Sequence, residues 1–190
     1  MSRFYLPFTH LRHELKLSER AVTLSSGLSR GAVRQLEDPS KGNVTMNSIN
    51  QLAALFERDV EVIVGSQEIL SDYSTVAIAM KIVRDGFDSW KIHLFDFVDE
   101  FRRTADARLL ILPPPSSTEI KIAALIHSTV QALCEEVSID TPRWAIRRRF
   151  LPEPWFIAQM HSLKASAILE SPISFRANNI FVLENFLTRV

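Results

Sequence analysis

Apolar residues recur at helical spacing along much of the chain, and few segments alternate with the period of two that is typical of a half-buried strand. The pattern is clearest in a stretch that contains Ile122, Ile126, Val130, Leu133 and Val137, with Cys134 on its flank. Just before it, Ser116 and Glu119 have the spacing of a capping box, in which a hydroxyl caps the helix and a carboxylate reaches back to it. The sequence therefore predicts a mainly α fold, with a helix that begins near Ser116.

Residues that break helices divide the chain into two parts. The first block starts near Pro7 and is interrupted at Gly65-Ser66. We therefore expect one domain over residues 1–65 and a second, α-helical domain over residues 66–190.

Within the second domain, the apolar pattern predicts helices around residues 72–84 and 88–103. Pro113–Pro115 then forbid helix and predict a stiff, extended connector. A further helix is indicated over Trp155–Glu170, and Pro172 ends it. Its apolar stripe would consist of Phe156, Met160, Leu163, Ala167 and Ile168.

The most informative segment runs from Leu17 to Glu37 and contains two short predicted helices. Ser18 can cap the first and Ser29 the second, because a serine hydroxyl accepts a hydrogen bond from an unpaired N–H of the first turn. Gly27 stands between them, where a sharp turn favours a left-handed backbone. Two short helices joined by such a turn form a helix-turn-helix. The residues predicted to face its core are Ala21, Val22, Leu24, Leu28, Val33 and Leu36.

This segment resembles the helix-turn-helix of Cro/CI-type regulators, the XRE family. The resemblance covers about residues 8–64 and rests on Leu11-Arg12, Leu17-Ser18, Gly27-Leu28-Ser29, Val33, Leu36-Glu37, the loop Asp38–Val44, and a helix capped by Thr45 that carries Ile49, Leu52, Ala53 and Leu55-Phe56. It implies a five-helix, lambda-repressor-like DNA-binding domain. Two positions depart from the family pattern. Glu19 replaces a glutamine that contacts a phosphate, which weakens that contact, and Thr23 replaces an alanine, which slightly loosens helix packing.

The resemblance also implies that the second helix of the motif enters the major groove and that its N-terminal residues meet base edges. Arg30 would then suit a bidentate contact with guanine and Gln35 a contact with adenine, each giving about 1–3 kcal/mol of discrimination. Gly31 and Ala32 would permit close approach or contact with a thymine methyl group. The expected base-reading residues are Ser29, Arg30, Gly31, Ala32, Arg34 and Gln35. The expected phosphate contacts, which position the domain without reading sequence, are Arg12, Lys16 and Lys41.

Charge is distributed unevenly, although the 190-residue chain is neutral overall, with 22 Lys and Arg against 22 Asp and Glu. Residues 1–45 hold seven cationic and four anionic side chains, so the remainder carries an excess of acidic residues. A basic N-terminal part on an acidic body fits a DNA-reading domain attached to a domain that binds another partner.

Composition and motifs exclude several other classes of protein. A single cysteine, Cys134, cannot form an internal disulfide or a cysteine-based zinc site, which predicts a reduced, cytoplasmic protein. No apolar run approaches the ~20 residues that cross a bilayer, and the N-terminus lacks a signal-peptide pattern, so we expect no membrane partner. The five histidines are scattered, and no nucleophile motif, phosphate-binding glycine loop or convergent metal-ligand set is recognisable. The sequence therefore predicts no enzyme activity and no cofactor.

The second domain is similar in places to antitoxin-like regulators that are paired with nucleotidyltransferase-type toxins. The similar segments are Trp90–Arg103, Pro142-x-Trp144, Pro154-Trp155-Phe156, Ser162–Ala165 and Ser171–Arg189. This resemblance implies that the acidic body binds a toxin and that the tail, residues 173–190, neutralises it. In the other interpretation the tail docks on its own domain. The function predicted is a homodimeric autorepressor that binds operator DNA and a toxin.

Two alternatives follow from other features of the sequence. Trp90, Trp144 and Trp155 could line a pocket, which would make the protein a ligand-sensing repressor, or they could belong to the core. Glu19 and the neutral net charge instead suggest an adaptor that has lost DNA binding. The basic run Arg147–Arg149 fits either an acidic partner, an added phosphate contact or a solvated loop.

Overall fold

The chain is mainly helical, as the apolar pattern predicts, and its described residues form ten α-helices and one pair of two-residue strands. It divides into two compact units, residues 1–63 (unit 1) and 64–190 (unit 2), and each unit has a hydrophobic core of its own. A computed structural model describes residues 8–38, 44–58, 60, 62, 65–66, 68–158 and 160–188.

The described part of unit 1 contains four helices: α1 (Phe8–Glu14), α2 (Glu19–Ser26), α3 (Arg30–Glu37) and α4 (Met46–Leu55). The predicted caps of α2, α3 and α4 are confirmed. Ser18, Ser29 and Thr45 each accept a hydrogen bond from the backbone N–H three residues later, at 3.1 to 3.2 Å. A fifth helix would fall after α4, where residues 59, 61, 63 and 64 lie outside the described part of the chain.

The turn between α2 and α3 depends on Gly27. Its φ of 71° and ψ of 5° are in the left-handed region, which a residue with a Cβ enters only at a cost. The Ser26 hydroxyl accepts a hydrogen bond from the backbone N–H of Leu28 at 3.2 Å and so closes the turn. The predicted conformation of Gly27 is therefore confirmed.

The core of unit 1 lies where α3 packs against the other three helices. Val33 and Leu36 of α3 are fully buried, as predicted. One prediction is wrong, since Leu24 was expected to face the core and its side chain is 75% exposed. The reason is that α2 has only two turns and buries a narrow face centred on Val22. The buried core residues are Phe8, Val22, Val33, Leu36, Ile49, Leu52, Ala53 and Phe56.

Unit 2 is built around one long helix. This helix, α7 (Ile120–Glu136), contacts α5 (Thr75–Asp85), α6 (Trp90–Thr104), α8 (Arg143–Ile146) and α10 (Ile173–Arg176). Every residue of α7 from 122 to 130 is buried, so the predicted apolar stripe is only part of its contact surface. No helix in the described part of the chain combines the length and the apolar character needed to cross a membrane.

The predicted capping box of α7 is wrong. The helix begins at Ile120 and its N-cap is Glu119, which makes no side-chain cap hydrogen bond. Residues 116–118 form a separate turn instead, in which the backbone N–H of Thr118 donates to the Pro115 carbonyl at 3.0 Å. The prolines at 113–115 are non-helical, as predicted. Residues 116–118, which the sequence pattern placed at the start of the helix, belong to this turn instead.

The predicted helix over Trp155–Glu170 is mostly wrong. Only its last seven residues are helical, as α9 (Lys164–Glu170), preceded by a 3₁₀ turn at His161–Leu163. Trp155–Phe156 is a strand, β1, which pairs in parallel with β2 (Ile180–Phe181). The local apolar pattern predicted a helix here, but the long-range pairing with β2 makes Trp155–Phe156 a strand. The Phe156 and Phe181 rings stack with their centroids 4.8 Å apart.

The described part of the tail belongs to the core of unit 2. Phe175, Ile180 and Val182 are buried, and Phe186 contacts the rings of Trp90, Phe95 and Phe175 at centroid distances of 5.6 to 6.2 Å. An Nη of Arg102 donates to the Leu187 carbonyl at 2.6 Å. Up to Thr188 the tail is therefore docked on its own unit, in agreement with the second of the two interpretations above.

Candidate nucleic-acid interface

The predicted base-reading residues lie at the start and on the outer face of α3, away from the core. Ser29 is its N-cap, and its hydroxyl is held by the backbone N–H of Ala32 at 3.2 Å. Arg30, Gly31, Arg34 and Gln35 are exposed and Ala32 is half-buried. The opposite side of the helix carries the buried Val33 and Leu36, so the structure brings all six residues to the outer end and face of one anchored helix.

Gly31 is not required by the packing of unit 1. A Cβ added at this position would meet only the Ser29 hydroxyl, at 3.9 Å, which is an ordinary contact distance. Gly31 is the second residue of α3, and alanine is a better helix former than glycine. A glycine that the fold does not need leaves room for a group that approaches α3 from outside.

Arg30 and Arg34 both contact one carboxylate. Each donates from Nε to Oε2 of Glu19 at 3.2 Å. Arg30 begins α3, Arg34 follows it by about one turn, and Glu19 is the first residue of α2. The two arginine side chains remain 67% and 60% exposed, whereas Glu19 is 29% exposed.

These two guanidinium groups lower the pKa of the Glu19 carboxyl. The hydrogen bond from Arg30 is the largest cause, and the hydrogen bond and charge of Arg34 add to it. Because the pKa is lowered in the folded chain, the stabilisation is present above the ordinary pKa of a glutamate and is lost as the pH falls through the lowered value. At neutral pH Glu19 is therefore ionised and paired.

Arg12 has a different environment from Arg30 and Arg34. Its Nε and Nη2 donate to the two carboxylate oxygens of Glu37 at 2.5 and 3.0 Å, and Nη1 donates to the Leu17 carbonyl at 3.2 Å. Both side chains of the ion pair are only 12% exposed. The hydrogen bond to Glu37 is the main cause that raises the pKa of Arg12. The guanidinium expected to contact a phosphate is thus engaged inside unit 1, where it ties the end of α1 to the end of α3.

Two lysines, Lys16 and Lys41, are predicted to contact phosphates, and the structure describes the first of them. Lys16 is exposed in the turn after α1, with a φ of 53°, and its backbone N–H donates to the His13 carbonyl at 3.0 Å. Lys41 lies outside the described residues. Lys16 is therefore placed where a phosphate could reach it.

The tryptophans of unit 2 pack with other rings. Trp90 is buried and meets Trp155 edge-on at 5.9 Å, while Trp144 donates from its indole N–H to the Leu110 carbonyl at 2.9 Å. Two surface depressions of about 640 and 380 Å³ lie along the tail, and no tryptophan lines either of them. The predicted pocket around the tryptophans therefore does not coincide with these depressions.

No group of three or more potential metal ligands occurs among the residues that the structure describes. Over the same residues, Arg147, Arg148 and Arg149 are exposed and form no ion pair, and the backbone N–H of Arg149 donates to the buried Asn178 side chain at 2.7 Å. The basic run is thus an exposed segment anchored at one end.

The residue whose role the sequence analysis missed is Glu19. The sequence indicated only a weakened phosphate contact at this position, but the structure places Glu19 between the two arginines of the exposed helix face. A signal was present in the sequence, because Arg30 and Arg34 are four residues apart and so share one face of α3, and in a helix-turn-helix α2 packs against α3. Comparison of the chain with protein-family models, with curated proteins and with solved structures gives no match.

Proposed function

We propose that unit 1 binds a specific duplex DNA sequence through α3, in the manner of the XRE-type helix-turn-helix that the sequence resembles. The observation that carries the proposal is the difference between the buried inner side and the exposed outer side of α3. Its inner side is fixed by Val33 and Leu36, and its outer side presents Arg30, Arg34 and Gln35 beside a glycine that the fold does not need. A short, anchored helix of this kind can enter the major groove with its N-terminal residues against the bases.

The proposed contacts follow from side-chain chemistry. Arg30 reads guanine and Gln35 reads adenine, because each can form two parallel hydrogen bonds to the edge of that base. Gly31 and Ala32 allow α3 to approach the base pairs closely. Lys16 and Lys41 contact phosphates, and Arg12 is left out of the contact set because its guanidinium is already paired with Glu37.

The function of the whole chain is proposed as that of a regulator of transcription. A single DNA-binding module of this size buries only ~600–1,000 Å² on DNA, so useful specificity calls for two protomers on a symmetric site. Unit 2 would supply the dimer contact, a partner contact or both. Large apolar side chains that it exposes, Ile168, Leu169 and Ile173, are consistent with this role. The partner that the sequence resemblance suggests is a nucleotidyltransferase-type toxin, which would make the protein an autorepressing antitoxin.

The test is selection of duplexes from a random pool by the full chain, followed by fluorescence-anisotropy titration of the selected and a scrambled duplex at two salt concentrations. We expect Arg30→Ala to cost about 1–3 kcal/mol on the selected duplex and to relax its specificity. We expect Lys16→Ala to weaken binding of both duplexes alike and to reduce the salt slope by about one unit. Recovery of no preferred sequence would contradict the proposal.

The regulatory part of the proposal needs a separate experiment. DNA from upstream of the protein's own gene is titrated beside the selected duplex, and the product of the neighbouring gene is co-purified with the full chain. An autorepressing antitoxin should bind the upstream DNA and retain the neighbouring protein. Failure of both would leave a DNA-binding protein with other targets.

A further inference from the structure

A single carboxylate oxygen holds the two arginines that face outward from α3. Oε2 of Glu19 accepts from Nε of Arg30 and from Nε of Arg34, both at 3.2 Å. Glu19 belongs to α2 and the two arginines to α3, and the relative position of these helices is fixed by the Gly27 turn and the buried Val22 and Val33. The cluster is therefore set by the fold and not by chance contact of long side chains on one helix.

The choice of nitrogen in these contacts is important. A guanidinium group has five N–H donors, and its two Nη groups can make a bidentate contact by themselves. Each arginine donates to Glu19 only from Nε. Among the described residues, the Nη atoms of Arg30 and Arg34 have no hydrogen-bond partner. An acceptor pair such as O6 and N7 of guanine could therefore bind the outer edge of either arginine while the contact to Glu19 stays in place.

We propose that Glu19 is a positioning and specificity-determining residue, which orients the guanidinium groups of Arg30 and Arg34 for base contact and weakens binding to DNA of other sequence. The inference rests on the proposed DNA binding. Two physical effects lead to it. Side chains that are held before binding lose less conformational freedom on the correct site. A negative charge at the interface opposes the phosphates of every duplex, and only on the correct site do the base contacts of the two positioned arginines offset that repulsion.

The first variant to measure is Glu19→Gln, which keeps the size of the side chain and removes its charge. Affinities of the full chain are measured for the selected and the scrambled duplex. We expect the affinity for the scrambled duplex to rise and the ratio of the two affinities to fall by about fivefold or more. Glu14→Gln is the matched control, because it removes the same charge from an exposed position at the end of α1. It should leave the ratio unchanged.

The ratio is chosen because partial unfolding would lower both affinities together and leave it unchanged. A ratio that is unaltered or raised in Glu19→Gln would overturn the positioning role. A ratio that falls equally in Glu14→Gln would also overturn it, since the contact of Glu19 with Arg30 and Arg34 would then not be the cause.

A double-mutant cycle with Arg30→Lys supplies an independent test. A lysine ammonium is a single point charge and cannot contact Glu19 and a base edge with separate nitrogens. If Glu19 acts through Arg30, the double variant should lose little more discrimination than either single variant. Additive losses would overturn the inference. If the unchanged protein prefers no duplex at all, the proposed function itself fails, an outcome that is distinct from an unchanged ratio in Glu19→Gln.

Discussion

The arginines of unit 1 show how burial and partners set the role of one residue type. Arg12 and its partner Glu37 are both 12% exposed, and the pair is bidentate, whereas Arg30 and Arg34 keep most of their surface in solvent. A mostly buried pair with several hydrogen bonds is costly to break, because the remaining charge is left without its partner. We therefore assign Arg12 to stability, and we assign Arg30 and Arg34 to the proposed DNA recognition.

Arg12→Ala should lower the free energy of unfolding of unit 1 by about 1–3 kcal/mol, because it leaves the Glu37 carboxylate mostly buried and unpaired. Chemical denaturation of the full chain, followed by circular dichroism, measures the change. Arg20→Ala, at an exposed position of α2, is the control and should have little effect. Equal effects of the two substitutions would show that the Arg12 pair contributes nothing special.

Gly31→Ala should stabilise unit 1 by about 0.5–1 kcal/mol, because alanine is the better helix former and the added Cβ meets only the Ser29 hydroxyl, at an ordinary contact distance of 3.9 Å. If α3 approaches DNA as proposed, the same methyl group should weaken binding of the selected duplex. The two measurements are thermal unfolding and anisotropy titration of the same preparation. A variant that is more stable and binds equally well would show that nothing approaches Gly31 closely.

At the scale of elements, the middle of α7, residues 122–130, is buried on all sides. Its middle residues include His127, Ser128 and Thr129, none of which is more than 1% exposed. His127 donates from Nε2 to the Trp144 carbonyl at 3.0 Å, and its Nδ1 has no hydrogen-bond partner in the described part of the chain. Ser128 accepts from the side chain of the buried Asn178 at 2.9 Å, so polar contacts fix α7 against the residues after α10.

Burial lowers the pKa of His127, and the nearby charge of Arg149 acts in the same direction. The unfolded chain therefore binds a proton at a pH where the folded chain does not, so stability is complete above the ordinary histidine value of 6.5 and falls as the pH drops below it. We expect the slope to reach at most about 1.4 kcal/mol per pH unit. Denaturant unfolding between about pH 5 and pH 8 measures it.

His127→Gln should flatten this pH dependence, because a glutamine amide can still donate to the Trp144 carbonyl and does not titrate. His161→Gln is the control for loss of an exposed imidazole. If His127→Gln and the unchanged protein had parallel pH profiles, burial of His127 would not account for the acid sensitivity.

At the scale of the whole molecule, the two units differ in the size of their cores and in the residues that they expose. Unit 1 has a small core and presents a short helix with exposed arginines and glutamine. Unit 2 has the larger core, into which the tail up to Thr188 is packed. Since one copy of unit 1 covers few base pairs, the proposed specificity depends on a second copy of the chain.

A symmetric DNA site should therefore bind two protomers, with half-sites about 10 base pairs apart, or one helical turn. Insertion of about five base pairs between the half-sites should weaken binding strongly, because it rotates one half-site to the opposite face of the duplex. Insertion of about ten should restore much of it. Sedimentation of the complex gives the stoichiometry, and a complex of one protomer per duplex that tolerates every spacing would exclude the dimer.

Much of the local structure could be predicted because it depends on neighbours in sequence. Ser18, Ser29 and Gly27 act within a few residues of their own positions, so their roles are visible in the sequence. The failures involve longer range. Trp155–Phe156 forms a strand because Ile180–Phe181 pairs with it, and Leu24 is exposed because α2 meets the core along one narrow face.

The sequence by itself determined the helical class, the caps of α2, α3 and α4, and the turn at Gly27. Each of these follows from the intrinsic preferences of residues or from periodicity along one element. Only the tertiary structure decided that Arg12 pairs with Glu37, that Glu19 holds Arg30 and Arg34, and that the tail joins the core of unit 2. Charged side chains are long and can take many partners. Which partner they meet is set by the packing of elements that are distant in sequence. A local sequence pattern does not show which of these elements will pack together.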